Sequence, residues 1–479
     1  MSHLYETLAA ELAQQIDQET LRSGDRLPGV RTFSRQRNIS VATAVATYRR
    51  LEADGYIEAR ARSGFFVRAR ERLRSREPGI TRPRGRPRPV SGQELVLELV
   101  KAANDPGVVQ LGAAVPDPAF LPTHAVERAI CQAARQHRLH TSAYEFPPGL
   151  PELRRQLARR MAESGCQVHA DDIVVTNGCQ EALTLALRAV TTPGDVVAIE
   201  SPTFYGLLQV IDSLGLEALE IPTHPRDGMA IDALQLALAQ WPVKACIVTP
   251  NYSNPLGGCM PDDGKRRLVE LLARHGVPLI EDDVYGDLGF AQRRPSTCKA
   301  FDADDNVFYC ASFSKTLSPG VRIGWVVNAR QRSKIEYLKY VTNLATPTVT
   351  QIAVARLLES GTYERHVRKV RGEYMRAVER MIAAVDRLFP AGTRVTRPLG
   401  GFVLWIELAR EVDSFELARR LLPLGISVAP GPIFSASQRY RHFIRLSCAR
   451  KWDDQVERAL ATIARLVAEA TAPGITAAR

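Results

Sequence analysis

Lysine is scarce in this chain, nine among 479 residues. Lys315 is the one whose neighbours suggest chemistry. It follows the run Phe308-Tyr309-Cys310-Ala311-Ser312 and sits among Ser312, Ser314 and Arg322. A lysine that forms an imine must be held near a carbonyl and give up its proton easily. Hydroxyls and an arginine beside it can grip a phosphate. Four other segments carry complementary groups. In 249–258 an apolar run enters a polar turn, where Asn254 can donate an amide hydrogen to a phenolate oxygen. In 277–287 a buried run ends in Glu281-Asp282-Asp283, with Tyr285 three places after Asp282. A carboxylate at the carboxyl end of a strand in an α/β sheet points into the ligand crevice. Opposite a pyridine nitrogen it stabilises the protonated ring, which becomes an electron sink. In 174–190 a strand passes through a glycine turn into a helix, so the amides of Gly178, Cys179 and Gln180 form a phosphate cradle. Phe204 follows another strand end, where its ring can stack on a flat cofactor. Each feature alone has a commoner explanation: a surface lysine, a turn asparagine, solvated acids, a core aromatic. Together they are the parts a pyridoxal phosphate site requires.

These residues need elements to position them. The runs DIVVTNG, DVVAIESP, KACIVTPN, VPLIEDDV and NVFYCASF read as strands, and helical stretches separate them. That alternation predicts an α/β fold with a parallel sheet. Hydrophobic residues are 45% and charged residues 24%, an ordinary globular balance. At roughly 150 residues per domain, the length predicts about three domains. No run of 18 or more apolar residues is present, and the N-terminus lacks a secretory pattern, so neither a membrane span nor export is expected. The eight cysteines are scattered without a CxxC, which argues against a metal site or a disulfide framework and for reduced cytoplasmic thiols.

Charge sets the N-terminal fifth apart. Residues 1–90 hold 18 Arg, no Lys and 10 acids, a net of +8 against +11 for the whole chain. A polyanion partner such as nucleic acid explains this; so does a solvated basic tail. Residues 68–90, with nine Arg, four Pro and two Gly, predict an extended or disordered linker. Before it, Leu4, Leu8, Leu12 and Ile16 recur at helical spacing, a second short helix fits Val30 to Arg37, and Ser40 caps a third from about Val41 to Asp54. Tyr56-Ile57-Glu58 and Gly64–Val67 read as a hairpin. Three helices and a hairpin make a winged helix-turn-helix, with the third helix in the major groove and the hairpin near the backbone or minor groove. Arg31, Arg35, Ser40, Thr43, Arg49, Arg60, Arg62 and the turn residue Gly64 are the candidate DNA contacts.

Two resemblances sharpen this reading. Residues 24–67 match GDxLPxxR and YxxLExxGxIxxxxxxGxFV, and so resemble the GntR-type winged helix. That resemblance implies DNA binding through Arg31, Ser40 and Thr43; where the family usually has Arg, the recognition helix here begins with Val41. From about residue 94 to 470, the motifs NGxQxAL, PxFYG, NPxG, DxxY and SxSKxxxPGxRxGW occur in the order found in fold-type I aminotransferases. That resemblance implies an internal aldimine at Lys315 and Asp282 on the pyridine nitrogen. It places Asn254 and Tyr285 on the ring hydroxyl and Phe204 on the ring face. Ser312, Ser314, Arg322 and the Gly178, Cys179 and Gln180 amides would hold the phosphate. Arg445 would grip a substrate carboxylate, and Tyr144 would reach the phosphate of a neighbouring subunit in a homodimer. The two halves together resemble the MocR subgroup. The expected domains are 1–67, a linker over 68–92, and a body over 93–479, with a large part near 136–330 and a smaller α+β part from 93–135 with 331–479. The implied function is a pyridoxal phosphate-dependent regulator that binds an operator in double-stranded DNA and senses a small amino compound through its aldimine. The alternative is a working aminotransferase that carries a DNA-binding domain.

Overall fold

The computed structural model describes residues 4–18, 20–53, 55–60, 63–68, 75–80, 85–90, 96, 105, 107–291 and 293–471. The chain divides into two compact units at the Arg74–Ser75 bond. In the first, helices α1 (Leu4–Asp17), α2 (Val30–Gln36) and α3 (Val41–Ala53) precede β1 (Ile57–Arg60) and β2 (Gly64–Val67), an antiparallel pair. This is the winged helix-turn-helix that the periodicity predicts. Its core gathers Ala9, Leu12, Ile16, Phe33, Tyr48 and Leu51. The Phe33 and Tyr48 rings stack at 5.0 Å, and the Tyr48 hydroxyl donates to the Pro28 carbonyl at 2.7 Å. Ser40 caps α3 by accepting the Thr43 amide at 3.0 Å. Gly64, with φ near +103°, starts β2 in a conformation that suits glycine.

The second unit is built on one mixed sheet. Its strands are β3 (Arg88–Pro89), β5 (Ile173–Thr176), β6 (Val196–Ser201), β7 (Glu217–His224), β8 (Gly228–Met229), β9 (Val243–Val248), β10 (Leu279–Asp282), β11 (Val307–Ser312) and β12 (Gly324–Val327). The order is β3-β7-β6-β9-β10-β11-β12-β5, with β8 also on β7. The strands from β7 to β11 are parallel, and β12 runs against both β11 and β5. Alternating side chains serve opposite faces: Tyr309 and Ala311 join one core, Phe308 and Cys310 the other. Burial on both faces explains the continuous apolar runs in the sequence. A smaller antiparallel sheet has the order β13 (Arg394–Val395), β14 (Val403–Glu407), β17 (Phe443–Ser447), β16 (Ala429–Pro430). Beside it, β15 (Ile426–Ser427) pairs in parallel with β4 (Val109–Gln110).

The structure alters two expectations. The lobe boundaries near 135 and 331 shift, because Val126 and Ala133 of helix Thr123–Gln136, and Ile352 and Leu358 of helix Thr348–Glu359, pack in the core under the large sheet. In addition, the described parts of the Arg-rich segment are held rather than loose. Pro78 and Val90 are buried, Arg88–Pro89 adds β3 to the outer edge of β7, and the Trp241 indole donates to the Gly85 carbonyl at 3.1 Å. Average composition hides such anchors, because two apolar residues and a few backbone bonds suffice.

Candidate functional site

The carboxyl ends of the strands converge, as the crevice rule for α/β sheets requires. Asp282 is the last residue of β10. Burial pushes its carboxyl up to about 6, and its Oδ1 accepts the Cys179 thiol at 3.4 Å and the Val284 amide at 3.3 Å. Asn254, in the turn after β9, donates from Nδ2 to the Tyr285 hydroxyl at 3.5 Å. Tyr285 is buried, edge-on to Phe402, and burial raises its pKa.

Lys315 lies in the loop between β11 and β12 and donates from Nζ to the Ala114 carbonyl at 2.8 Å. Its pKa is lowered to about 8, first by burial and then by the nearby Arg445 charge, while Asp282 opposes the shift. An amine so poised sheds its proton far more readily than a surface lysine.

The turn before helix Cys179–Val190 shows why glycine stands at 178. Its φ is near +89°, and a Cβ there would run into the Arg322 guanidinium. Arg322 donates from Nη2 to the Asn177 carbonyl at 2.7 Å and itself adopts the left-handed conformation, φ +52°. The amides of Cys179 and Gln180 open helix Cys179–Val190. Ser312 and Ser314 are buried with their hydroxyls 3.3 Å apart. Phe204 precedes helix Tyr205–Ser213, and its ring occupies the space that a Cβ at Gly206 would need.

Arg445, on β17, is fully buried. It donates from Nη1 to Asn254 Oδ1 at 3.1 Å and from Nη2 to the Gly112 carbonyl, and its Nε has no partner. Its guanidinium lies 5.2 Å from the Phe434 ring centre and 5.9 Å from that of Tyr205. Among the described residues, no carboxylate pairs with it. Sequence reasoning missed the Gly112 and Ala114 carbonyls and the Tyr205 and Phe434 walls. Only Tyr205 carried a local signal, as the neighbour of Phe204. Tyr144 stands apart on an exposed face, stacked on Phe146 at 5.6 Å, with Tyr340 beside Phe146.

In the first unit, Arg31, Arg35 and Arg49 are exposed on α2 and α3, and Ser40 and Thr43 bond each other at the start of α3. Val41 is exposed beside them. Arg60 is partly engaged on the hairpin, pairing with Glu58 at 2.8 Å and lying over the Phe66 ring. Arg62 lies outside the described residues.

The donor set of the second unit fits pyridoxal phosphate: a proton-shedding lysine, a half-buried carboxylate, a hydroxyl–amide pair and a glycine cradle closed by an arginine. This is the site of an aminotransferase-like body. Residues 108–463 match "Aminotransferase class I and II", and residues 4–67 match "Bacterial regulatory proteins, gntR family". The chain therefore belongs to the class I and II aminotransferase family, with a gntR-family head in the MocR-type arrangement, and pyridoxal phosphate is the cofactor of the body. It is 40% identical over 464 residues to an uncharacterized HTH-type transcriptional regulator, YjiR, of Escherichia coli, covering 97% of this chain and 98% of that one. It resembles the Pyrococcus horikoshii kynurenine aminotransferase structure with TM-score 0.74 and 28% identity, covering 79% of this chain and 95% of the other. It also resembles the α-aminoadipate aminotransferase LysN of Thermus thermophilus, solved with N-(5'-phosphopyridoxyl)-L-leucine, with TM-score 0.72 and 27% identity over 79% and 95% of the two chains. Among the described residues, no helix is long and apolar enough to cross a membrane.

Proposed function

We propose that this protein is a cytoplasmic, homodimeric transcriptional regulator that binds operator DNA through its winged head and senses a small amino compound through its aldimine at Lys315. Pyridoxal phosphate supplies an electrophilic carbon for amine exchange. Lys315 provides the exchanging amine. With the cofactor bound, Asp282 would hold a proton on the ring nitrogen, Asn254 and Tyr285 would orient the ring hydroxyl, and Phe204 would cover the ring face. Ser312, Ser314, Arg322 and the Gly178, Cys179 and Gln180 amides would hold the phosphate. Tyr144, exposed on its own subunit, is assigned to the phosphate of the partner subunit. Arg31, Arg35, Ser40, Thr43, Arg49, Arg60, Arg62 and Gly64 form the DNA-facing set.

The observation that carries the reading is Arg445. A fully buried guanidinium with two neutral acceptors and an unpartnered Nε is a site built for a carboxylate. It shares Asn254 with the ring-hydroxyl position, so a carboxylate held there brings its amino group toward Lys315. Amino acids are the ligand class this favours. A second reading, a working aminotransferase, is supported by the completeness of the set Lys315, Asp282, Asn254 and Tyr285.

One experiment separates them. The visible spectrum of the purified protein is followed during titration with amino acids and amines. A band that shifts and persists without keto product marks a sensor. A band that passes to the pyridoxamine form and returns with added keto acid marks a transaminase. No spectral response to any amine would refute both.

A further inference from the structure

The turn that carries Asn254 is gripped from two sides. On one side, a Cβ at Gly258 would collide with the Pro225 carbonyl and stand 3.4 Å from the Arg226 Cα. On the other, a Cβ at Gly257 would lie 2.6 Å from the Pro398 Cβ, and the Leu399 amide donates to the Gly257 carbonyl at 3.0 Å. Arg226 belongs to the turn between β7 and β8 of the large sheet, and Arg397 follows β13 of the small one. A single carboxylate ties these two walls together. Glu77 accepts Arg226 Nε and Nη2 on Oε2, at 2.9 and 2.6 Å, and the Arg397 backbone amide on Oε1, at 3.2 Å.

Glu77 is not part of either sheet. It lies in the segment that leads from the head, and its neighbours are fastened to the small lobe. Arg397 Nη2 donates to the Ser75 carbonyl at 3.0 Å, the Val395 amide to the Arg76 carbonyl at 2.9 Å, and the Ser75 amide to Asp386 at 3.2 Å.

We propose that Glu77 is a positioning residue for the Asn254 turn, and that occupancy of the cofactor site thereby sets how firmly residues 75–78 are held. The inference rests on the assignment of Asn254 to the pyridoxal phosphate site. Gly257 and Gly258 fit between the walls only because they lack side chains, so the turn has little slack. Moving Asn254 presses on Pro225–Arg226 or on Arg397–Pro398, and both report to the Glu77 carboxylate. A ligand that favours one position of Asn254 favours one state of the strap, and the coupling is reciprocal. Whatever factor the cofactor adds to the hold on residues 75–78, loss of that hold must subtract from cofactor affinity.

The test uses the full-length protein, pyridoxal phosphate as probe, and tryptic cleavage after Arg76 as the readout of the strap. Glu77→Ala removes the carboxylate, and Arg226→Gln breaks the same pair from the other side. In the wild type, saturating pyridoxal phosphate is expected to slow cleavage about two- to fivefold, the range of a half-exposed ion pair. Both variants are expected to cleave at a rate independent of pyridoxal phosphate, and to bind it more weakly by the same factor. If the variants merely melt at lower temperature while binding pyridoxal phosphate as tightly as wild type, the coupling is overturned and the cofactor assignment stands. If wild type fails to bind pyridoxal phosphate, the assignment falls and the coupling with it.

Discussion

Replacing Arg445 by Met tests whether that side chain serves a ligand or the fold. In the structure, the guanidinium is removed from water and meets neutral groups: two carbonyl acceptors and two aromatic rings. Removing an ion of this kind from water costs several kcal/mol. Two charge-assisted hydrogen bonds return about 1.5–3 kcal/mol each and the ring contacts roughly 1 kcal/mol. The terms nearly cancel, so the variant, which fills similar space, is expected to unfold within about 2 kcal/mol of wild type. Carboxylate binding has no such compensation. A buried charge pair that loses one partner forfeits about 2–5 kcal/mol, which is roughly 30- to several-thousand-fold in affinity. The assay is a spectral titration of both proteins with an amino acid and with its decarboxylated amine, beside denaturant unfolding. Arg445→Met should weaken the amino acid by that factor and leave the amine within a few-fold. Equal weakening of both, with a stability loss above about 4 kcal/mol, would show that Arg445 braces Asn254 and Gly112 instead.

Three further outcomes are expected. Lys315→Ala should abolish borohydride-trapped cofactor and leave basal DNA affinity within a few-fold; loss of both in a gel-shift assay would assign Lys315 to folding. Arg31→Ala should weaken operator binding by about 1 kcal/mol and lower the salt slope by about 1, as for one phosphate contact, and an unchanged slope would remove it from the interface. Burial pushes the Asp282 carboxyl up to about 6, above the range of a free aspartate near 4. Its contribution to stability is therefore full below about pH 4 and is lost as pH rises through 6. Asp282→Asn should stabilise the cofactor-free protein at pH 7–8, by up to about 3 kcal/mol, and weaken pyridoxal phosphate; a variant that melts lower at pH 8 would contradict the burial argument.

Much of the site was legible because its chemistry sits at strand ends, where sequence neighbours are also spatial neighbours. Asp282 and Tyr285, Ser312 to Lys315, and Gly178 to Gln180 each lie in one short segment after a readable strand. The head was legible for a similar reason: its contacts are local, and Ser40 marks the start of α3. What escaped came from far away in the chain. The carbonyls that meet Lys315 and Arg445 are main-chain groups 201 and 333 residues distant, with no side-chain signature. Phe434 is an ordinary core aromatic until Arg445 is folded against it. The membership of helices Thr123–Gln136 and Thr348–Glu359 in the large-sheet core depends on which apolar face meets which, and a helical period leaves that open.

The two residues of β3 have a consequence for how the protein is handled. The eight-residue strand β7 pairs with β6 on one side, and on the other meets β3 at Glu217–Ala218 and β8 at Thr223–His224. An uncovered strand edge is a template for joining another chain. A fragment trimmed to begin after Pro89 would bare the first part of that edge and should aggregate on concentration. One cut at Ser75 keeps the cover and should stay monodisperse. The stretch of chain that leads from the head thus covers part of a strand edge that would otherwise be open to another chain.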